Sequence, residues 1–129
     1  EKEMFDYRQM LSKKKRKKEK MIKNCLINLD DQKKEVETIL EILKNEGSFG
    51  ILICGTGVGM SIAANRSEGI RAGLVSSVEV TRLIRQHNDA NVLVIPGRFM
   101  EVEEAINCVQ IFIETQFEEG RHKQRIEKI

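Results

Sequence analysis

Residues 50–66 read GILICGTGVGMSIAANR: a cysteine and three alternating glycines between an apolar run and a stretch of helix formers. Glycine at 55, 57 and 59 lets the backbone come close to a ligand. A helix opening there offers N–H groups without intrahelical partners and a partial positive charge. Such a turn suits a phosphate or a developing oxyanion. It is not a Walker loop, because no Lys-Ser or Lys-Thr pair follows, and its glycine spacing does not match G-x-G-x-x-G. A tight turn without a ligand is the plain alternative. Cys54 stands at the end of the apolar run, where open α/β sheets place their chemistry, and a neighbouring helix N-terminus favours thiolate. The competing reading is a small buried core residue, the commoner fate of a free cysteine. Cys25 and Cys108 lie inside apolar stretches and take that core reading.

Elsewhere, side chains able to do chemistry are scattered. His87 lies in the polar run RQHND, where a helix end or the surface accounts for it. Arg121 and Arg125 stand four apart near the end of the chain, a common place for solvated arginines. Arg98 follows Pro-Gly and fits loop chemistry, and Thr56 can hydrogen-bond its own turn. No CxxC motif or Cys/His cluster suggests a zinc site, so no metal is expected.

The elements that must position these residues alternate. Residues 4–20 are rich in helix formers and lack Gly and Pro, which predicts a helix. MIKNCLINL, residues 21–29, has the apolar core of a strand. Val36, Ile39, Leu40 and Leu43 recur at helical spacing, predicting an amphipathic helix over 31–45 that Gly47 stops. GILIC, residues 50–54, is an apolar run of the kind buried on both faces of a parallel sheet. IRAGLV, residues 70–75, and NVLVI, residues 91–95, read as further strands. Helices are predicted over 60–65, 78–88 and 101–117, and the last stretch, 118–129, is a charged tail. Strand–helix alternation predicts an α/β fold with a mainly parallel sheet and helices on both faces.

With 129 residues the chain reads as a single domain, 1–129, able to bury roughly two-thirds of its unfolded surface. Aromatics are 5% of it and Trp is absent, so the core must be aliphatic. Net charge is +2, yet residues 13–20, KKKRKKEK, carry seven basic side chains, so the remainder is net acidic. That distribution argues against a nucleic-acid footprint spread over the molecule. The basic run reads as a solvated helix face, with a nucleic-acid contact or a nuclear address as the functional alternative. An odd number of widely spaced cysteines and no apolar leader point to a reducing, cytoplasmic compartment, and no apolar run approaches the roughly 20 residues a membrane helix needs. The first residue is Glu1 rather than Met, which fits a processed product, a fragment or an edited chain.

GILICGTGVGMSIAANR, IRAGLV, RQHNDANVL and EEGRHKQRIEKI, in this order and spacing, resemble the ribose-5-phosphate isomerase B family, which includes allose- and galactose-6-phosphate isomerases. The resemblance covers about residues 30–129. It implies a Rossmann-like α/β/α sandwich, a homodimer or tetramer with active sites shared between subunits, and a place in pentose phosphate metabolism. It implies Cys54 as the base moving a proton between C2 and C1, and backbone N–H groups of the turn holding enediolate oxygens. Gly55, Gly57, Gly59, Ser61 and Asn88 would bind substrate, and Thr56 and His87 would assist ring opening. Arg98, Arg121 and Arg125 would clamp the phosphate, for which the guanidinium fork is suited. The chemistry needs no cofactor and takes a small phosphorylated sugar as its partner.

Two features of the family pattern are absent: the first strand with its Asp-His-Ala-Gly-like end, and an Asp-Tyr-Pro-Asp segment before the second helix. Either the first strand is missing or MIKNCLINL replaces it. Three functions therefore compete. One is an isomerase of ribose 5-phosphate or of a hexose 6-phosphate. The second is a non-catalytic sugar-phosphate-binding relative. The third is a nucleic-acid binder using the basic run, which would show steep salt dependence.

Overall fold

The structure, a computed structural model, describes residues 22–26, of which only the backbone is considered, and residues 32–129. The predicted helix over 4–20, the basic run and the side chain of Cys25 lie outside the described residues. The elements are β1 (Ile22–Leu26), α1 (Gln32–Leu43), β2 (Phe49–Cys54), α2 (Val58–Asn65), β3 (Ala72–Leu74), α3 (Val78–Asn88), β4 (Val92–Pro96), α4 (Val102–Glu114) and α5 (Arg121–Ile126). Among the described residues the sheet has four strands in the order β1-β2-β4-β3. All three pairings are parallel, with Leu26 opposite Ile53, Cys54 opposite Pro96, and Ala72 opposite Val92. Ile22–Leu26, within MIKNCLINL, thus supply the strand beside β2.

Successive side chains of a strand point to opposite faces, and this sheet has an apolar core on each. Phe49, Ile51 and Ile53 of β2 with Leu93 and Ile95 of β4 pack with Ala105, Cys108, Val109 and Phe112 of α4 and with the apolar side of α3. Leu52 with Val92 and Val94 packs with Val36, Ile39 and Ile42 of α1 and Met60 and Ala64 of α2. Burial on both faces explains why β2 and β4 read as unbroken apolar runs. Gly50 has a packing reason. A Cβ there would stand 2.6 Å from Ile39 Cδ1, so α1 lies too close to the sheet for a side chain.

The helix boundaries have local causes. Ser77 caps α3, its Oγ accepting from the Val80 N–H at 3.2 Å. Asn65 ties the end of α2 to β3, donating to the Ala72 carbonyl at 2.9 Å and accepting from the Ala72 N–H at 2.8 Å. The sequence extends α4 to residue 117, but the helix ends at Glu114 and Thr115 is extended. The chain then crosses to α3, where the Glu118 N–H donates to the Gln86 carbonyl at 3.1 Å. The charged tail holds a short helix, α5, where the spacing of Arg121 and Arg125 allowed a helix or a turn.

Candidate active site

The candidate residues fall into two groups at the two ends of the sheet. Parallel strands begin at one edge and finish at the other. Cys54 closes β2 opposite Pro96, at the finishing edge. His87 and Asn88 close α3, which starts after β3 ends and runs back toward Val92, the first residue of β4. Eleven residues of helix cover about 16 Å. The structure therefore does not bring Cys54 and His87 of one chain together.

The first group is built on the turn after β2. Gly57 takes φ +77°, and a Cβ there would collide with Leu74 Cδ1 and lie 3.3 Å from Val94 Cγ1, so the position needs glycine twice over. The turn folds back so that the Gly57 N–H donates to Cys54 Sγ at 3.2 Å. Half-buried Cys54 thus sits beneath the start of α2 with its sulfur open to one side. Thr56 is exposed, and its Oγ1 accepts from the Val58 N–H at 3.2 Å. Gly59 and half-buried Ser61 lie in the first turn of α2, the Ser61 N–H donating to the Gly57 carbonyl at 3.0 Å. Arg98 joins this group from the β4–α4 loop. Its N–H donates to the Gly55 carbonyl at 3.0 Å, and its side chain crosses so close to Gly55 that a Cβ there would meet Cδ and Nε at 3.3 Å. Backbone donors, a thiol and a guanidinium therefore share one mouth.

The second group is built from side chains. His87 stacks on buried His122 of α5, with ring centroids 4.3 Å apart and planes 13° from parallel. Glu118 Oε2 lies 4.0 Å from His87 Nε2 and 3.7 Å from His122 Nε2. His122 is held below its ordinary pKa by burial first, then by the charges of His87, Arg121 and Arg125, against the pull of Glu118. Arg121 and Arg125 are exposed on α5 beside it, and Asn88 is exposed at the end of α3. This group therefore holds His87, Asn88, Arg121 and Arg125 of the expected set.

A buried anchor fixes the second group. The Arg85 guanidinium lies 4.8 Å from the Phe49 ring centre and 5.7 Å from that of Phe112. It donates to Asp89 Oδ1 at 3.0 Å, to the Thr115 carbonyl at 3.3 Å and to the Ala90 carbonyl. Asp89 sits in the left-handed region at φ 45° and also receives Arg71 at 3.3 Å. Arg85 thereby holds the end of α3 and the start of the segment carrying Glu118. Sequence reasoning missed Arg85, Glu118 and His122. A lone arginine on a helix carries no signal of burial, and the two histidines stand 35 residues apart until the fold stacks them. Cys108 is fully buried, and burial pushes its thiol pKa up, as a core residue requires. No helix among the described residues is long and apolar enough to cross a membrane.

The profile of the family described as Ribose/Galactose Isomerase matches residues 5–129. A probable ribose-5-phosphate isomerase B of Mycoplasma pneumoniae is 53% identical over 85 residues, 66% of this chain and 56% of that protein. The ribose-5-phosphate isomerase B of Escherichia coli is 47% identical over 93 residues, 72% of this chain and 62% of that protein. The chain thus spans less than two thirds of the length of either relative. Among solved structures, a ribose 5-phosphate isomerase of Thermotoga maritima aligns with TM-score 0.73 and 49% identity, covering 79% of this chain and 70% of that one. Ribose-5-phosphate isomerase B of Mycoplasma genitalium, solved with bound ribulose-5-phosphate, aligns with TM-score 0.72 and 43% identity, covering 78% and 67%.

Proposed function

The chain belongs to the ribose/galactose isomerase family, and from that premise we propose that it interconverts ribose 5-phosphate and ribulose 5-phosphate through an enediolate. The observation that carries the reading is the turn after β2, where Cys54 Sγ, the first N–H groups of α2 and the Arg98 side chain converge. In the open-chain aldose the Cys54 thiolate takes the C2 proton. The C–H electrons form the C1–C2 double bond, and the carbonyl π electrons move onto O1. Backbone N–H groups over 55–61 face that charge, other than those of Gly57, Val58 and Ser61, which are bonded to Cys54 Sγ, Thr56 Oγ1 and the Gly57 carbonyl. A proton passes from O2 to O1, the O2–H electrons form the C2 carbonyl, and the double-bond electrons take the proton back from the Cys54 thiol to make the new C1–H bond. Thr56 and His87 assist ring opening, Asn88 binds a sugar oxygen, and Arg98, Arg121 and Arg125 hold the phosphate.

Two copies of the chain are needed in this reading, because the Cys54 and His87 groups of one copy lie at opposite edges of its sheet. A homodimer in which each copy presents its His87 group to the other's Cys54 group completes both sites. Exposed apolar side chains support this arrangement. Val58, Ile62, Leu74, Phe99 and Val102 all lie at or just beyond the Cys54 edge, and Phe99 is 76% exposed. Apolar exposure of that kind marks a surface made to be covered. A cytoplasmic, reducing setting fits the free thiols of Cys54 and Cys108.

The direct test is conversion of ribose 5-phosphate by this chain without added metal, alongside Cys54→Ala. Turnover that vanishes in the variant, with phosphate-sugar binding retained, is the expected result. Undiminished turnover in Cys54→Ala would sink the role of the thiol. Binding without turnover in the parent chain would make it a non-catalytic sugar-phosphate binder. Turnover confined to a hexose 6-phosphate would keep the mechanism and change the substrate.

A further inference from the structure

The fold gathers three side chains that the sequence keeps apart: His87 at the end of α3, Glu118 in the segment after α4, and His122 in α5. One ligand atom of each lies within 4.8 Å of the others. The two imidazole nitrogens stand 4.0 and 3.7 Å from the same carboxylate oxygen, too far for hydrogen bonds. Two imidazoles and a carboxylate gathered without hydrogen bonds between them are the donor types of a zinc-type ion with an open fourth position, with the two rings held nearly parallel, 13° apart, in the unliganded arrangement.

We propose that His87, Glu118 and His122 bind a divalent transition-metal ion of the zinc type. Ligand atoms placed ~2.0–2.2 Å from a tetrahedral ion stand about 3.4 Å apart, so the set must contract by about an ångström, and the His87 ring must turn out of its parallel stack on His122 to aim its nitrogen at the ion. The burial pattern allows it. The His122 side chain is 9% exposed and fixed, whereas those of Glu118 and His87 are 50% and 39% exposed and can swing toward it. The main chain keeps them near, because the Glu118 N–H is bonded to the Gln86 carbonyl next to His87. Imidazole ligands favour zinc, cobalt or nickel over magnesium or calcium. Arg121 and Arg125 on the same helix add positive charge and hold the affinity down. The consequence for turnover rests on the reading of His87 in ring opening: an ion that occupies its nitrogen inhibits isomerisation.

The test uses the full chain and the metal alone. Zn²⁺ binding is measured by competition with a chromophoric chelator, and Co²⁺ serves as the optical probe. Expected are one Zn²⁺ per chain and Co²⁺ ligand-field bands. Glu118→Gln and His122→Gln should each weaken binding at least about tenfold. Glu118 is half exposed, so its variant guards against a loss caused by misfolding. Binding indifferent to Glu118→Gln, or no binding tighter than roughly millimolar, would overturn the site. Ribose 5-phosphate turnover is followed in parallel. Zinc that binds through these residues but leaves turnover intact supports the metal site and removes His87 from the mechanism, so the two readings fail separately.

Discussion

The two edges of the sheet carry two differently made groups of candidate residues. At the Cys54 edge the candidate group is mostly backbone: a left-handed glycine and the opening of α2. At the His87 edge it is side chains from α3, the segment after α4, and α5, held by Arg85 between two phenylalanine rings. A backbone-built site tolerates almost no change at its glycines. A side-chain-built site depends on the packing beneath it. The difference teaches that one half is local in sequence and the other exists only when three distant segments meet.

The sharpest way to break this comparison is through turnover. Cys54→Ala should lower kcat about 10²–10⁴-fold, the usual contribution of a positioned base, and His87→Asn should be impaired through the other edge. Mixed one to one and allowed to exchange subunits, the two inactive variants should recover about a quarter of parental activity, because a symmetric dimer with shared sites rebuilds one intact site in each heterodimer. No recovery from exchanged subunits would mean that each chain works alone.

The next effect is on stability at the His87 edge. Arg85→Met removes a buried cation that donates to Asp89 and to two carbonyls, and should cost about 2–4 kcal/mol in urea unfolding. The partial exposure of Asp89 and its second partner, Arg71, keep the loss from being larger. A loss under ~0.5 kcal/mol would place Arg85 among surface residues.

The Cys54 turn is compared with a left-handed glycine at the other edge, before β3, through Gly57→Ala and Gly69→Ala. Both glycines have positive φ, +77° and +87°, but a Cβ at 57 collides with Leu74 while one at 69 meets nothing within 4 Å. Gly69→Ala should cost about 1–2 kcal/mol, the left-handed strain alone. Gly57→Ala should cost more and also reduce turnover. Equal losses would show that crowding from β3 and β4 plays no part in shaping the turn.

The smallest expected effect separates the two described thiols. Cys54 should be alkylated in the folded chain, while Cys108 should react only on unfolding, as read by peptide mass mapping. Burial, with a further push from Glu104, raises the Cys108 pKa above its ordinary value of 9.0, against a hydrogen bond from Thr81 that lowers it. The native state therefore keeps a proton that the unfolded chain gives up. The sign follows: the contribution is undiminished below about pH 9 and is lost as pH rises above it. Thermal unfolding of the parent chain should fall more steeply in that range than that of Cys108→Ala.

Most of the architecture was legible. Residues 50–54 and 91–95 announced β2 and β4 because strands buried on both faces must be apolar at every position. Residues 78–88 matched α3 to the residue, and the structure shows Ser77 capping its start. The ends of α4 and the short helix α5 were less visible, since both depend on the chain leaving α4 to bond Gln86. The Cys54 turn could be read because glycine, cysteine and helix start are consecutive.

By itself the sequence determined the strand–helix order, the two-faced sheet and the glycine-rich turn after β2, all of which follow from neighbouring residues. The tertiary structure decided that Arg85 is buried between rings, that His87 stacks on His122 with Glu118 beside both, and that this group stands at the edge away from Cys54. Those facts depend on how helices return across a sheet and on what they then meet, and local composition carries no record of either.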